Sequence, residues 1–310
     1  MNVVLLAASL IIGGLLALQA SVNLQLTRAV GTPYGASTLQ LAIAAAALAI
    51  VTWAAGGWGA LALVGEAEPW KLLGGLASPI YITSAILLFP RLGALTSVGL
   101  FVTGQVTASL VLDLGGLLGV PRSPVSAGVM LGALAVLAGI IMVIRGQRGD
   151  AQPGAPAPSA RAGWMALGVL AGAVLPVQGA VNAALRADLG DPFATALVSF
   201  VVATLAIALA TALLLVARRT PRPRVRPLAV MPWWGWLGGI AAANYVTVTF
   251  LAMPAIGGAA TIALTVTGQQ LTSALIDHFG WFRLPRRPVN RARLYGLAAL
   301  IAGSALVQIA

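Results

Sequence analysis

The sequence predicts an all-α integral membrane protein of ten transmembrane helices, arranged as two inverted five-helix repeats. Three observations carry that expectation. The chain is 59% hydrophobic and 8% charged, with a mean hydropathy of +0.96. Its first half recurs in its second half. Its basic residues fall in alternate loops, with opposite bias in the two copies.

A soluble protein has too little interior to cover that much apolar surface, so lipid must be the solvent for most of these side chains. The net charge of +11 and pI of 11.6 invite a nucleic-acid reading. The placement of the charge argues against it, because the arginines sit in short loops between apolar runs and never alternate with aromatics along a stripe. No nucleic-acid partner is therefore expected. Cysteine is absent, which excludes disulfides and thiolate metal sites, and the one histidine, His278, cannot build a multi-histidine site. The start, Met1-Asn-Val-Val-Leu-Leu, lacks the basic region of a signal peptide and reads as a first span. No GxxxxGK[ST] run is present, so no nucleotide or other cofactor is expected.

The repeat is legible residue by residue. Gln19-Ala-Ser-Val-Asn23 returns as Gln178-Gly-Ala-Val-Asn182, an offset of 159 positions. Thr103-Gly104-Gln105 returns as Thr267-Gly268-Gln269, an offset of 164. At that same offset Asp113 pairs with Asp277, Pro121 with Pro285 and Gly132 with Gly296. The Arg-rich stretch near 218–232 absorbs the difference. A period this long is not that of a solenoid. A duplicated domain with an odd number of spans is the pattern of an inverted-repeat transporter.

Apolar runs punctuated by Pro, Gly and charge place the helices at 3–26, 35–55, 70–89, 93–113 and 127–145, then 163–186, 193–217, 233–252, 257–277 and 293–309. Two turns, Phe89-Pro90-Arg91-Leu92-Gly93 and Met253-Pro254-Ala255-Ile256-Gly257, read as a helix stop and restart. The first repeat covers 1–145 and the second 163–310. Between them, 146–162 is a flexible linker rich in Pro and Ala. Pro79 and Pro176 fall inside spans and are expected to kink them. Trp233, Trp234 and Trp236 suit an interfacial anchor. Gly128, Gly132 and Gly139, matched by Gly296 and Gly303, put a small-residue face on helices 5 and 10 for close packing.

The loops divide the basic residues unevenly. Fifteen arginines fall on one side: Arg28, Arg91, Arg145, Arg148, Arg161, Arg218, Arg219, Arg222, Arg224, Arg226, Arg283, Arg286, Arg287, Arg291 and Arg293. The other side has Lys71, Arg122 and Arg186, with Glu66, Glu68, Asp188 and Asp191. The positive-inside rule puts the first group in the cytoplasm and both termini outside. Matching loops of the two copies carry opposite bias, as two copies of opposite orientation require.

The pattern Leu-x-x-Gln19-x-x-x-Asn23-x-x-Leu26, the Gly104-Gln105 and Gly268-Gln269 pairs and Asp277-His278-Phe279-Gly280 resemble the YdcZ-type branch of the drug/metabolite transporter (DMT) superfamily, which is EamA-like. The resemblance covers nearly the whole chain as two fused five-helix domains. It implies that one chain carries both orientations that single-domain members supply by antiparallel assembly. A monomer then suffices, with a homodimer left open. The first copy departs from the pattern, reading Asp113-Leu114-Gly115 where the second keeps Asp-His-Phe-Gly.

Polar side chains inside a membrane are costly unless paired, so each is a functional candidate. Gln19 and Asn23 share one helix face. Gln19 lies about 7 Å to the cytoplasmic side of the midplane and Gln178 a similar distance to the other side, at roughly 1.5 Å per residue. Gln105 and Gln269 fall within about 3 Å of the midplane on the same estimate, beside Thr103 and Thr267. Asn182 repeats Asn23, and Tyr81 matches Tyr245 deeper in helices 3 and 8, while Asn244 and Gln40 add polarity that looks unmatched. Together they outline a central, uncharged, pseudo-symmetric substrate site; the competing reading is amides that only join helices. Asp113 and Asp277 sit at helix ends, either as hydrated carboxylates near Arg122 and near Arg283 or Arg286, or as coupling groups. The expected function is a secondary transporter of small neutral or amphipathic organic solutes across the inner membrane by alternating access, with export as a direction. A flippase for lipid-linked substrates and a structural membrane protein are the alternatives. An enzyme is not expected, because no Ser–His, paired-Asp or metal constellation lies at the midplane.

Overall fold

The computed structural model describes residues 2–120, 122, 126–146, 158–256 and 258–309. Ten α-helices follow the order expected: α1 (Asn2–Val30), α2 (Pro33–Ala54), α3 (Ala77–Leu92), α4 (Ala94–Gly115), α5 (Ala127–Gly146), α6 (Pro158–Leu189), α7 (Pro192–Val216), α8 (Leu237–Ile256), α9 (Gly258–Phe279) and α10 (Arg291–Ile309). No strand occurs among the described residues. Seven segments among them are long and apolar enough to cross a membrane, covering α1 to α7. Backbone polar groups cannot be hydrated in lipid, which is why the chain satisfies them within helices.

Element boundaries follow local chemistry. Pro33 and Pro192 occupy the first helical turn of α2 and α7, where a missing N–H costs nothing. Asp191 caps α7 by accepting from the Ala194 N–H at 2.6 Å. The third span of each half enters through a 3-10 segment at matched positions, Pro69–Leu76 before α3 and Trp233–Trp236 before α8. α3 does not stop before Pro90 as expected. It runs through that residue to Leu92 and ends at Gly93, whose φ of 87° breaks the helix. The matching turn loses Gly257 and the side chain of Pro254 from the described residues, as does Pro121 in its loop. α6 begins at Pro158, inside the expected linker, of which 147–157 lie outside the described residues.

Helix contacts establish the symmetry. A Cβ on Gly104 would strike the Val169 carbonyl oxygen on α6, and one on Gly268 would strike the Leu10 carbonyl oxygen on α1. Val169 is Leu10 moved by 159, and Gly268 is Gly104 moved by 164, so the two contacts are one contact made twice. Gly172 against Phe101 and Gly13 against Thr265 repeat the relation. α5 and α10 pack on each other through their glycines, Gly132 against Gly303 and Gly139 against Gly296. Numbering rises along one helix as it falls along the other, so these two matched helices are antiparallel. A two-fold axis that superposes them must cross the helices, in the plane of the membrane. The repeats are therefore inverted.

Charge is sorted to the two ends of the bundle. Arg224 donates to the Arg28 carbonyl at 2.9 Å, Arg28 to the Arg283 carbonyl at 3.2 Å and Arg287 to the Arg91 carbonyl at 3.1 Å, which gathers these loops at one basic end. At the opposite end Lys71 pairs with Asp188 at 2.9 Å.

Because backbone stands where a side chain would go, Gly268→Ala should destabilise the fold by about 1–3 kcal/mol. Gly59→Ala, with nothing within 4 Å, should leave it unchanged. Thermal unfolding of both variants in detergent checks this, and equal midpoints would refute the close-contact account.

Candidate functional site

The amides of the first repeat join helices at the basic half of the bundle. Asn23 on α1 donates to Gln40 Oε1 on α2 at 3.3 Å, and Gln40 donates to the Gly238 carbonyl at the start of α8 at 3.5 Å. The second repeat copies this at the opposite half, where Asn182 donates to Ser199 Oγ at 3.2 Å. Gln40 is therefore not unmatched polarity: it is the counterpart of Ser199 at the offset of 159. Gln178 reaches Ser78 Oγ at 2.8 Å and Ser199 Oγ at 3.4 Å. Gln19 is buried, with its Oε1 unpartnered. Thr103 and Thr267 bond back to carbonyls of their own helices, Gly99 and Ala263, and offer little to a ligand in that rotamer. Asn244 is exposed and donates to the Ile240 carbonyl of its own helix, with no bond to the other amides among the described residues.

At mid-depth the two halves differ. Gln269 on α9 donates to the Tyr81 hydroxyl on α3 at 2.8 Å, and both are buried. Tyr81 also packs against Phe101, ring centroids 4.9 Å apart. Their counterparts are Gln105 and Tyr245, both only partly buried, with no hydrogen bond between them among the described residues. Tyr245 lies instead against Thr249 and Thr265. The same imbalance holds along the bundle. Gln19 and Asn23 are buried where Gln178 and Asn182 are half-buried. Ser37 Oγ and Thr83 Oγ1 meet at 3.0 Å between α2 and α3, whereas their counterparts are Ala196 and Thr247, the latter with an unpartnered hydroxyl. Symmetric packing would bury counterparts equally. The polar side chains of the basic half are more buried than their counterparts in the opposite half.

A buried ionic cluster fastens the basic end. Asp277, 1% exposed, accepts from the Ala94 N–H at 2.7 Å and the Leu95 N–H at 3.2 Å, which caps the start of α4. Arg293, also 1% exposed, meets the same carboxylate at 2.6 Å. Arg287 donates to the Pro90 and Arg91 carbonyls at the end of α3 at 3.0 and 3.1 Å. Burial pulls the pKa of Arg287 below its ordinary value while the Asp277 carboxylate opposes that shift. The expectation of a hydrated Asp277 beside Arg283 or Arg286 is thus corrected, because the ordering of α3, α4 and α10 around one carboxylate excludes water. Sequence reading counted Arg287 and Arg293 only as orienting charge. The available signal was an arginine near the start of an apolar span, sixteen residues after an aspartate. Among the described residues Asp113 has no such cluster: it is half-buried, and the counterpart of Arg293 is Val129. His278 accepts from the Val289 N–H at 3.2 Å and stands edge-on to Phe279, in the last helical turn of α9 at the basic end.

Removing one partner from a buried ion pair strands the other. Asp277→Asn should cost about 3–5 kcal/mol by that principle, whereas Asp113→Asn should stay within roughly 0.5 kcal/mol of wild type. Thermal melts of the two variants compare them directly, and an equal loss in both would reject the one-sided cluster.

Comparison with known proteins agrees with this architecture. No curated protein matches the chain in sequence. A solved structure described as "Crystal structure of protein" shares the fold at 19% identity and a TM-score of 0.58, covering 97% of this chain and 96% of that one. The sequence model of the DMT_YdcZ family, described as "Putative inner membrane exporter, YdcZ", matches twice, over residues 4–142 and 163–306. The two matches fall on the two halves that the helix contacts relate. The chain belongs to the DMT_YdcZ family of the DMT superfamily, and is a multi-pass membrane transporter of that family.

Proposed function

We propose that the chain is a secondary transporter that exports small neutral or amphipathic organic solutes across the inner membrane by alternating access. Residues 1–145 and 163–310 act as the two domains, joined by 146–162. The basic end faces the cytoplasm on the positive-inside rule, and both termini face outward. Tyr81, Gln105, Tyr245 and Gln269 hold the substrate near the midplane. Gln19, Asn23, Gln178 and Asn182 serve the vestibules above and below it.

One observation carries this reading: counterparts related by the pseudo-two-fold are in different states. Tyr81 and Gln269 are bonded and buried, whereas Tyr245 and Gln105 are not bonded to each other and are half-buried. An inverted repeat in which the halves exchange those states opens first to one side and then to the other. Export follows if solute enters when the Ser37–Thr83 contact parts and leaves when it re-forms. Asp277 is a gate residue in this cycle, since opening the cytoplasmic side must loosen its hold on α4. No step uses a cofactor.

The absence of native cysteine makes a direct test available. A Ser37→Cys/Thr83→Cys disulfide should hold the cytoplasmic side shut, abolish solute export from vesicles and release it on reduction. Export that continues through the cross-link would refute alternating access at this contact. In a thermal-shift screen of metabolites and drugs, a ligand that stabilises wild type should lose most of its effect in Gln105→Ala/Gln269→Ala. Equal stabilisation of both would move the site elsewhere.

A further inference from the structure

We propose that the basic end carries a binding site for a phosphate group, separate from the midplane site and independent of the transport reading. A cleft of about 610 Å³ opens there between the end of α1, the end of α3 and the turn after α9. Arg28, Arg91 and Arg283 line it, together with Leu24, Pro90 and Leu284. Among the described residues none of these three arginines makes an ion pair. Among the described residues no carboxylate lies within ion-pair distance of them. Asp277 is taken by Arg293, Lys71 and Asp188 pair at the far end, Glu66, Glu68 and Asp191 belong to the loops of that end, and Asp113 sits near the far end of α4. Asp150 lies outside the described residues.

Protein contacts position these arginines without neutralising them. Arg28 donates to the Arg283 carbonyl at 3.2 Å, and its own carbonyl accepts from Arg224 at 2.9 Å. Arg91 donates to the Leu87 carbonyl at 2.6 Å and lies 4.3 Å over the Trp164 ring. Backbone strain marks the third. Arg283 has a φ of 60°, in the left-handed region, where its counterpart in the first repeat is Gly119 with a φ of 80°. A conformation that favours glycine is occupied by an arginine at the cleft and by glycine at the other end. Planar guanidiniums match phosphate oxygens in pairs, and an amphiphilic wall beside them suits a phosphate attached to an apolar body. The height of the cleft, at the ends of apolar spans, is that of phospholipid headgroups on the more basic face. A phospholipid or a soluble phosphate compound could each supply the group.

The full chain, purified in neutral detergent, would be titrated with phosphatidylglycerol, with phosphatidylcholine and with inorganic phosphate. Bound lipid would be counted by native mass spectrometry and stability followed by thermal shift. Phosphatidylglycerol should bind wild type in preference to phosphatidylcholine. Arg91→Gln/Arg283→Gln should weaken it roughly 25-fold, at about fivefold per arginine near a headgroup surface. Arg222→Gln/Arg226→Gln, which removes the same charge from the exposed loop after α7, should keep wild-type affinity. Displacement of the lipid by millimolar phosphate identifies a site that also takes soluble phosphates; no displacement identifies a lipid headgroup site. Equal loss in both double variants, or none in the cleft variant, overturns the proposal. Should the glutamine pair fail to fold, Arg91→Lys/Arg283→Lys replaces it. That pair keeps the charge and loses the paired geometry, so a weakened affinity supports the site and an unchanged one overturns it.

Discussion

In lipid no hydrophobic force draws helices together, because the tails outside are as apolar as the side chains within. Close contact between backbones must supply the attraction, and this fold depends on that constraint. Gly104 and Gly268 let α4 touch α6 and α9 touch α1, while Gly13 and Gly172 close the same pairs from the other side. Each pair joins a helix of one repeat to a helix of the other. The halves are thus interleaved rather than set side by side, and neither holds its own core. With the glycines of α5 and α10 crossing the axis, most of the packing surface is shared between copies.

The ionic cluster at the basic end breaks the equivalence of the two copies. Asp277 draws together the start of α4, the end of α9 and α10, and Arg287 ties in the end of α3. The Asp277 carboxylate is satisfied away from water by two backbone N–H groups and Arg293. Its counterpart at Asp113 is missing two arginines. The two ends therefore differ in pairing as well as in burial, and that difference is written in the sequence, where Val129 stands at the position matching Arg293.

The buried amides fall into two groups by the partners they meet. Gln19, Asn23, Gln178 and Asn182 share a motif, but most of their bonds go to neighbouring helices, Asn23 to Gln40 and Asn182 to Ser199. Gln269 and Tyr81 meet at mid-depth, and their counterparts do not. Spacing along a helix shows which face a residue occupies. It does not show whether the neighbouring face brings a partner, and that choice separates a structural amide from an available one.

The sequence alone determined the helices, their order, the duplication and its inversion, because each of these is written in local pattern. Apolar length sets a span, and the alternation of arginine between loops sets its direction. Even the matched prolines that start α2 and α7 are visible in the chain. Tertiary structure alone decided that Arg293 is buried on Asp277, that Gln40 joins Asn23 to the start of α8, that Asn244 bonds within its own helix, and that the two halves bury their polar groups unequally. These depend on contacts between residues far apart in the chain, such as Ala94 with Asp277, 183 positions away. Two copies with nearly the same pattern cannot announce which is the tighter. The difference is a sum of small packing and pairing energies across the whole interface, and only the assembled bundle adds them up.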